Sequence, residues 1–260
     1  MSVASGDFIL LLFSFFVVAT LYSAVGFGGG SSYLAILALV ITSFLTIRST
    51  ALLCNLTVVS GSCILFYKNG HFHLRKFLPF VITSIPLAFL GASFRLQEHI
   101  FFIILAMALI ISAFALIYQT RGLKPNYALK KYPNYLSYLL GAAIGLLSGL
   151  VGIGGGIFLA PVLNHMKWDK PIVIAALASF FILVNSVSGL AGLFWNDSFQ
   201  VFWPEILGLL IAVLLGGQLG VRISLGKLSA KRIRLLTAVL VLFVGIRVLV
   251  RNGLNLNLFS

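Results

Sequence analysis

Apolar runs close to the length of a bilayer crossing recur from one end of this chain to the other, and they leave few folds open. A helix crosses the hydrocarbon core in roughly 20 residues, whereas a barrel strand does so in about ten of alternating polarity. The runs here are of the first kind and do not alternate. Of the 260 residues 60% are hydrophobic and 9% charged, and the mean hydropathy is +1.12, outside the range of a water-soluble domain. The expected fold is all-α, a polytopic transmembrane helical bundle. The first stretch, MSVASGDFILLLFSFF, carries Asp7 and no basic residue, and its apolar run continues well past a signal-peptide core. It reads as a retained first span.

In such a chain the formal charge of +13 reports orientation and contact with anionic headgroups, and it argues against nucleic acid as a partner. Cys54 and Cys63 lie nine residues apart on one expected helix, beyond disulfide reach. His71, His73, His99 and His165 all fall near loops, so no metal site or buried proton relay is expected from them.

The chain repeats itself. VGFGGG at 25–30 recurs as VGIGGG at 151–156, so Gly26, Gly28, Gly29 and Gly30 match Gly152, Gly154, Gly155 and Gly156. A short apolar piece follows each cluster, then a longer segment with a mid-span asparagine, Asn55 in LLCNLTVVSG and Asn185 in ILVNSVSG, then two further spans. The segments expected are 8–25, 31–45, 49–67, 77–94 and 100–118, then 136–151, 157–166, 172–194, 203–221 and 234–250. The organisation is a first transmembrane repeat over 1–120, a basic cytoplasmic linker over 121–134 and a second repeat over 135–260. As helices, 31–45 and 157–166 would extend only about 22 Å and 15 Å, against a hydrocarbon core of roughly 30 Å. They read as half-helices.

Basic residues in short loops set orientation. Placing Lys68, Arg75 and Lys76, the linker, Lys167 and Lys170, and the cluster from Arg222 to Arg234 inside puts 14 of the 18 basic residues there. The other face keeps Arg48, Arg95, Arg247 and Arg251 with Asp7, Glu98, Asp197 and Glu205. The loop after the asparagine segment then faces inward in the first half and outward in the second. The two repeats of about five segments have inverted topology.

Each glycine inside a helix costs about 0.5–1 kcal/mol relative to alanine, so three in succession favour a break. Backbone groups freed by a break in lipid are tolerated only where they are buried in protein or line a polar cavity. Re-entrant hairpins and shortened full crossings both satisfy the loop count. Ser31 and Ile157 are expected to open the half-helices that follow, whose N-termini present free N–H groups and partial positive charge to an anion. The candidate substrate-binding residues are therefore Gly28, Gly29, Gly30, Ser31, Asn55, Gly154, Gly155, Gly156, Ile157 and Asn185. Helix ends and neutral donors would hold the anion without burial of a cationic side chain. Pro86 and Pro161 are candidates for kinks.

Other chemistries fit less well. GFGGGS lacks the third glycine and downstream acid of a dinucleotide site, and no Lys-Ser or Lys-Thr pair makes it a Walker loop. An intramembrane hydrolase built on Ser148 would need a base, and no histidine or carboxylate falls mid-span.

The paired motifs SAVGFGGGSSYLAILAL and SGLVGIGGGIFLAPVL, in matching halves, resemble the TauE/SafE family of sulfite exporters. The resemblance covers nearly the whole chain and implies transport of sulfite or an organosulfonate such as sulfoacetate across the cytoplasmic membrane, usually export. Ser31 and Ser32 follow the first glycines where Ile157 and Phe158 follow the second, so the half-sites differ chemically. The expected function is a secondary transporter of a small sulfur-containing oxyanion, working by alternating access. The alternative is a permease or channel for a metal cation or neutral solute. The partners implied are the small anionic substrate and membrane lipids, with a homo-oligomer compatible with the pattern. No cofactor, catalytic residue or metal ligand is expected.

Overall fold

The computed structural model describes residues 5–40, 43–94, 97–121, 129–201, 205–225 and 230–250. Among them there are ten helices and no strand. The first five are α1 (Ser5–Ser23), α2 (Gly30–Val40), α3 (Phe44–Lys68), α4 (Leu74–Ser93) and α5 (Glu98–Arg121). The second five are α6 (Asn134–Val151), α7 (Gly156–Met166), α8 (Pro171–Trp195), α9 (Glu205–Leu225) and α10 (Ala230–Val248). Helices α3, α4, α5, α6, α8 and α9 are long and apolar enough to cross a membrane. The pieces after the two glycine clusters are 11 residues each, about 16 Å of helix, too short to cross a hydrocarbon core alone. Both open one residue earlier than the sequence suggested, on Gly30 and Gly156 rather than Ser31 and Ile157. Pro79 and Pro86 lie inside α4, and Pro161 inside α7.

The packing exchanges the halves. The principal contact of α4 with α6 has its counterpart in α9 with α1, and α4 with α8 in α9 with α3. Contacts of α2 with α3 and α10 are mirrored by α7 with α8 and α5. The self-matching pairs α3·α8 and α5·α10 lie between the halves. Helices α3 and α8 are both 25 residues long and run antiparallel. Leu52 near the start of α3 packs with Leu190 and Leu193 near the end of α8, while Phe72, just past α3, meets Phe180 in the first half of α8 at 5.0 Å between ring centroids.

Small residues set the closest crossings. Gly141, Gly145 and Gly149 of α6 face the backbone of Phe80, Ser84 and Ala88 of α4, a four-residue step on both helices. Gly216 and Gly220 of α9 meet the carbonyls of Phe16 and Thr20 on α1 in the same manner. Lipid tails are as apolar as leucine, so bare backbone contact and dispersion hold such helices together where water would otherwise drive them.

The loops gather at two ends. Lys76 at the start of α4 pairs with Asp169 between α7 and α8 at 2.6 Å. Beside it the Lys130 N–H donates to the Lys167 carbonyl at 3.1 Å and the Tyr132 hydroxyl to the Met166 carbonyl at 2.9 Å. At the other end Asn196 Nδ2 donates to the Ser93 carbonyl at 3.1 Å, and the Gln200 N–H to Ser49 Oγ at 3.2 Å. Three of the four basic loops thus share an end. Residues 122–128 of the linker and 226–229 of the fourth loop fall outside the described residues.

A valine at Gly145 would press its Cβ to 2.5 Å from the Ser84 Cα. Gly145→Val should destabilise the protein by about 1–3 kcal/mol in detergent. Ala143→Val, on the exposed side of the same helix, should stay within about 0.5 kcal/mol. Thermal unfolding of the two variants side by side checks the contrast.

Candidate functional site

The first glycine of each motif is a helix stop. Gly26 has φ 87° at the end of α1, where its N–H returns to the Ser23 carbonyl at 3.0 Å and the Phe27 N–H to that of Tyr22 at 2.8 Å. Gly152 has φ 71° at the end of α6, and its N–H reaches the Ser148 carbonyl at 2.7 Å. A left-handed residue at this position closes the last turn, and glycine adopts it without the Cβ clash. The chain restarts after the remaining glycines. Ser32 and Tyr33 donate to the Gly29 carbonyl, both at 3.0 Å, and Phe158 and Leu159 donate to that of Gly155, at 3.0 and 3.2 Å. The amides of Gly30, Ser31, Gly156 and Ile157 lie ahead of these ladders, the free donors of a helix N-terminus.

The last glycines permit close approach by α3 and α8. A Cβ at Gly28 or Gly30 would overlap the side-chain amide of Asn55 on α3, and a Cβ at Gly154 or Gly156 would overlap Ile182 on α8. Pro171 stands 127 positions after Phe44 at the heads of these equal helices, and Ile182 stands 127 after Asn55. Ile182 is therefore the counterpart of Asn55. The asparagine that sequence paired with it, Asn185, lies three residues further on and donates Nδ2 to the Phe181 carbonyl of its own helix at 2.9 Å. That pairing is corrected by the register of α3 and α8.

Each break also touches the long helix of the other half. Gly26 packs on Ala175 of α8, and Ser179 Oγ donates to its carbonyl at 3.3 Å. Gly152 packs on Arg48 of α3, 2.9 Å from where a Cβ would stand to its Cγ and 3.1 Å to its Nε. Arg48 and Asn55 are two turns apart on one face of α3, about 10 Å along its axis. The two breaks thus lie along the same α3–α8 pair, about two helical turns apart.

Around them polar atoms are buried without partners. Among the described side chains these are Ser23 Oγ, Tyr33 Oη and both amide atoms of Asn55 by the first break. By the second they are Arg48 Nε, Ser148 Oγ and Ser186 Oγ, with Asn185 Oδ1 next in sequence. Ser32 differs, its Oγ bonded to the Tyr22 hydroxyl at 2.7 Å. Ser31 and Ile157 are buried at the heads of α2 and α7. An unpaired polar group in a low-dielectric interior costs about 1–3 kcal/mol, so a cluster of them points to a polar ligand or ordered water at this place.

Arg48 is the residue that sequence reasoning misplaced. It was assigned to a loop on the outer face, with the site free of buried cations. Helix α3 begins at Phe44, so Arg48 lies a full turn inside and is only 3% exposed. Its Nη2 donates to the Gly149 carbonyl in the last turn of α6. Among the described residues no carboxylate lies within ion-pair distance of it, and the ion pair is that of Lys76 with Asp169. A half-open cavity of about 280 Å³ reaches it, lined also by Phe44, Leu45, Ala92, Phe94, Asn196, Asp197 and Ser198. The signal in sequence was the mostly apolar FLTI ahead of Arg48, which extends the helix upstream of the charge.

The family described as "Sulfite exporter TauE/SafE" matches residues 11–248. The "Probable membrane transporter protein y4hK" of Sinorhizobium fredii is 36% identical over 248 residues, 92% of this chain and 97% of that protein. The "Probable membrane transporter protein YunE" of Bacillus subtilis is 26% identical over 265 residues, 92% and 96% of the two chains. A third relative, "Probable membrane transporter protein MJ0441" of Methanocaldococcus jannaschii, is 32% identical over 106 residues, 38% of this chain and 39% of its own. No solved structure matches the chain. With two glycine breaks, six bilayer-length helices among the described residues and a family match over residues 11–248, the chain belongs to the TauE/SafE family and is a multi-pass membrane transporter of that type.

Proposed function

We propose that this chain is a secondary transporter that exports a small sulfur-containing oxyanion, such as sulfite or an organosulfonate, by alternating access of two inverted halves. The observation that carries the reading is the buried Arg48 guanidinium, without a carboxylate partner, among unpaired polar atoms beside two glycine-broken helices. A cation in a spanning helix is costly unless it is paired or serves a ligand pathway. An anion passing along α3 would pair with Arg48 at one break and take hydrogen bonds from Asn55 Nδ2 and the amides that open α2 at the other. The same charge repels metal cations.

The exchanged packing of the halves, the antiparallel run of α3 and α8 and the gathering of basic loops at one end support an inverted arrangement with the repeats at 1–120 and 135–260, joined by the linker at 121–134. Midplane sites between inverted repeats suit alternating access, because each half can close the path from its own side. Lys170 and Gln97 are both exposed, one at each end of the bundle. A membrane-impermeant maleimide applied to intact cells should label Gln97→Cys and spare Lys170→Cys until the cells are opened. Labelling of both from outside would end the inverted reading.

Counterflow of labelled sulfite and sulfoacetate in proteoliposomes at fixed pH and voltage tests the cargo. Arg48→Gln and Asn55→Leu should each lower the rate about tenfold or more, since a hydrogen bond to a charged group is worth about 1.5–3 kcal/mol. Full activity in both variants would refute an anion site between the breaks.

A further inference from the structure

Two of the described residues that line the cavity beside Arg48 are charged, Arg48 and Asp197, and Asp197 stands where local structure disfavours it. It follows α8 with φ 49°. Its N–H bonds to the Phe194 carbonyl at 3.2 Å and the Ser198 N–H bonds to that of Leu193 at 2.9 Å, a left-handed helix closure that favours glycine or asparagine. A carboxylate there also faces the negative end of the α8 dipole. Aspartate tolerates the left-handed backbone, but a carboxylate set against the helix dipole at the rim of a cavity is a candidate for a role in that cavity. The neighbouring polar side chains are otherwise engaged, Asn196 Nδ2 with the Ser93 carbonyl and Ser198 Oγ with the Asn196 carbonyl. Among the described side chains Arg48, which also lines the cavity, keeps Nε buried without a partner.

We propose that this cavity is a vestibule that admits small singly charged anions and turns away doubly charged ones, with Arg48 supplying the attraction and Asp197 setting the charge limit. The proposal rests on the anion reading above and narrows it. A monoanion at Arg48 leaves the vestibule with the net charge of one carboxylate, whereas a dianion adds a second negative charge to the cavity whose rim carries the exposed Asp197. Repulsion between like charges about 10 Å apart near a protein surface is enough for about a tenfold difference in affinity. Sulfonates and the protonated form of sulfite meet the limit; sulfate does not.

The test is calorimetric titration of the full chain in detergent micelles with methanesulfonate and with sulfate, two tetrahedral sulfur anions that keep one and two charges throughout the neutral range. Methanesulfonate should bind at least about tenfold more tightly than sulfate. Asp197→Asn keeps the side-chain shape and suits the left-handed backbone, so it folds, and it should bring the two affinities within about threefold by raising that of sulfate. Arg48→Gln should lower methanesulfonate affinity about tenfold or more. Equal binding of the two anions by the wild type, or a ratio unchanged in Asp197→Asn, overturns the proposal. A charge-selective site in a protein whose vesicles carry neither sulfite nor sulfoacetate would uphold the vestibule and sink the transport reading. Transport with no response of either affinity to Asp197→Asn would do the reverse.

Discussion

In a bilayer every backbone N–H and C=O must find a partner within the protein, and this chain interrupts two of its helices where that rule is hardest to meet. The rest of the structure answers those interruptions. Gly26 and Gly152 fold the last carbonyls of α1 and α6 back on themselves. Helices α3 and α8 lie against both breaks and screen them from lipid, and the side chains they bring are Asn55 and Arg48 from one, Ile182 and Ala175 from the other. One wall of the junction is polar and the other apolar at corresponding positions. The backbone device is the same at both breaks, while the side chains that face it differ.

The glycines serve two kinds of contact. In the breaks they allow left-handed backbone and the approach of an amide side chain. On α6 and α9 they bring helix backbones together. What distinguishes the two uses is the company they keep: unpaired buried polar atoms surround the first kind, and ordinary carbonyls and methyl groups face the second.

Much of this was legible in the sequence because bilayer-length apolar runs, a glycine motif repeated at a fixed offset and basic loops are one-dimensional signals. All ten segments appear where the pattern put them, to within a few residues. The half-helices after the glycines were visible as undersized runs. Registration across the bundle was not. Asn55 and Asn185 look equivalent in sequence because both follow a glycine cluster mid-span, but the facing position is fixed by how α8 starts, at Pro171, and it falls on Ile182. Arg48 was misread because a charge at the edge of an apolar run resembles a boundary. Only the start of α3 at Phe44 and the proximity of Gly152 show that it is inside.

The exchanged packing of α4 and α9 has a consequence for how the protein is assembled. Helix α4 belongs by sequence to the first repeat but lies against α6 and α8, and α9 belongs to the second but lies against α1 and α3. The compact units are interlocked across the linker, so a polypeptide severed there would yield fragments that each expose a glycine-lined groove made for a helix of the other. Neither fragment is a self-sufficient module. During synthesis the first five helices must wait in the membrane, with α4 lacking its partner, until α6 and α8 emerge.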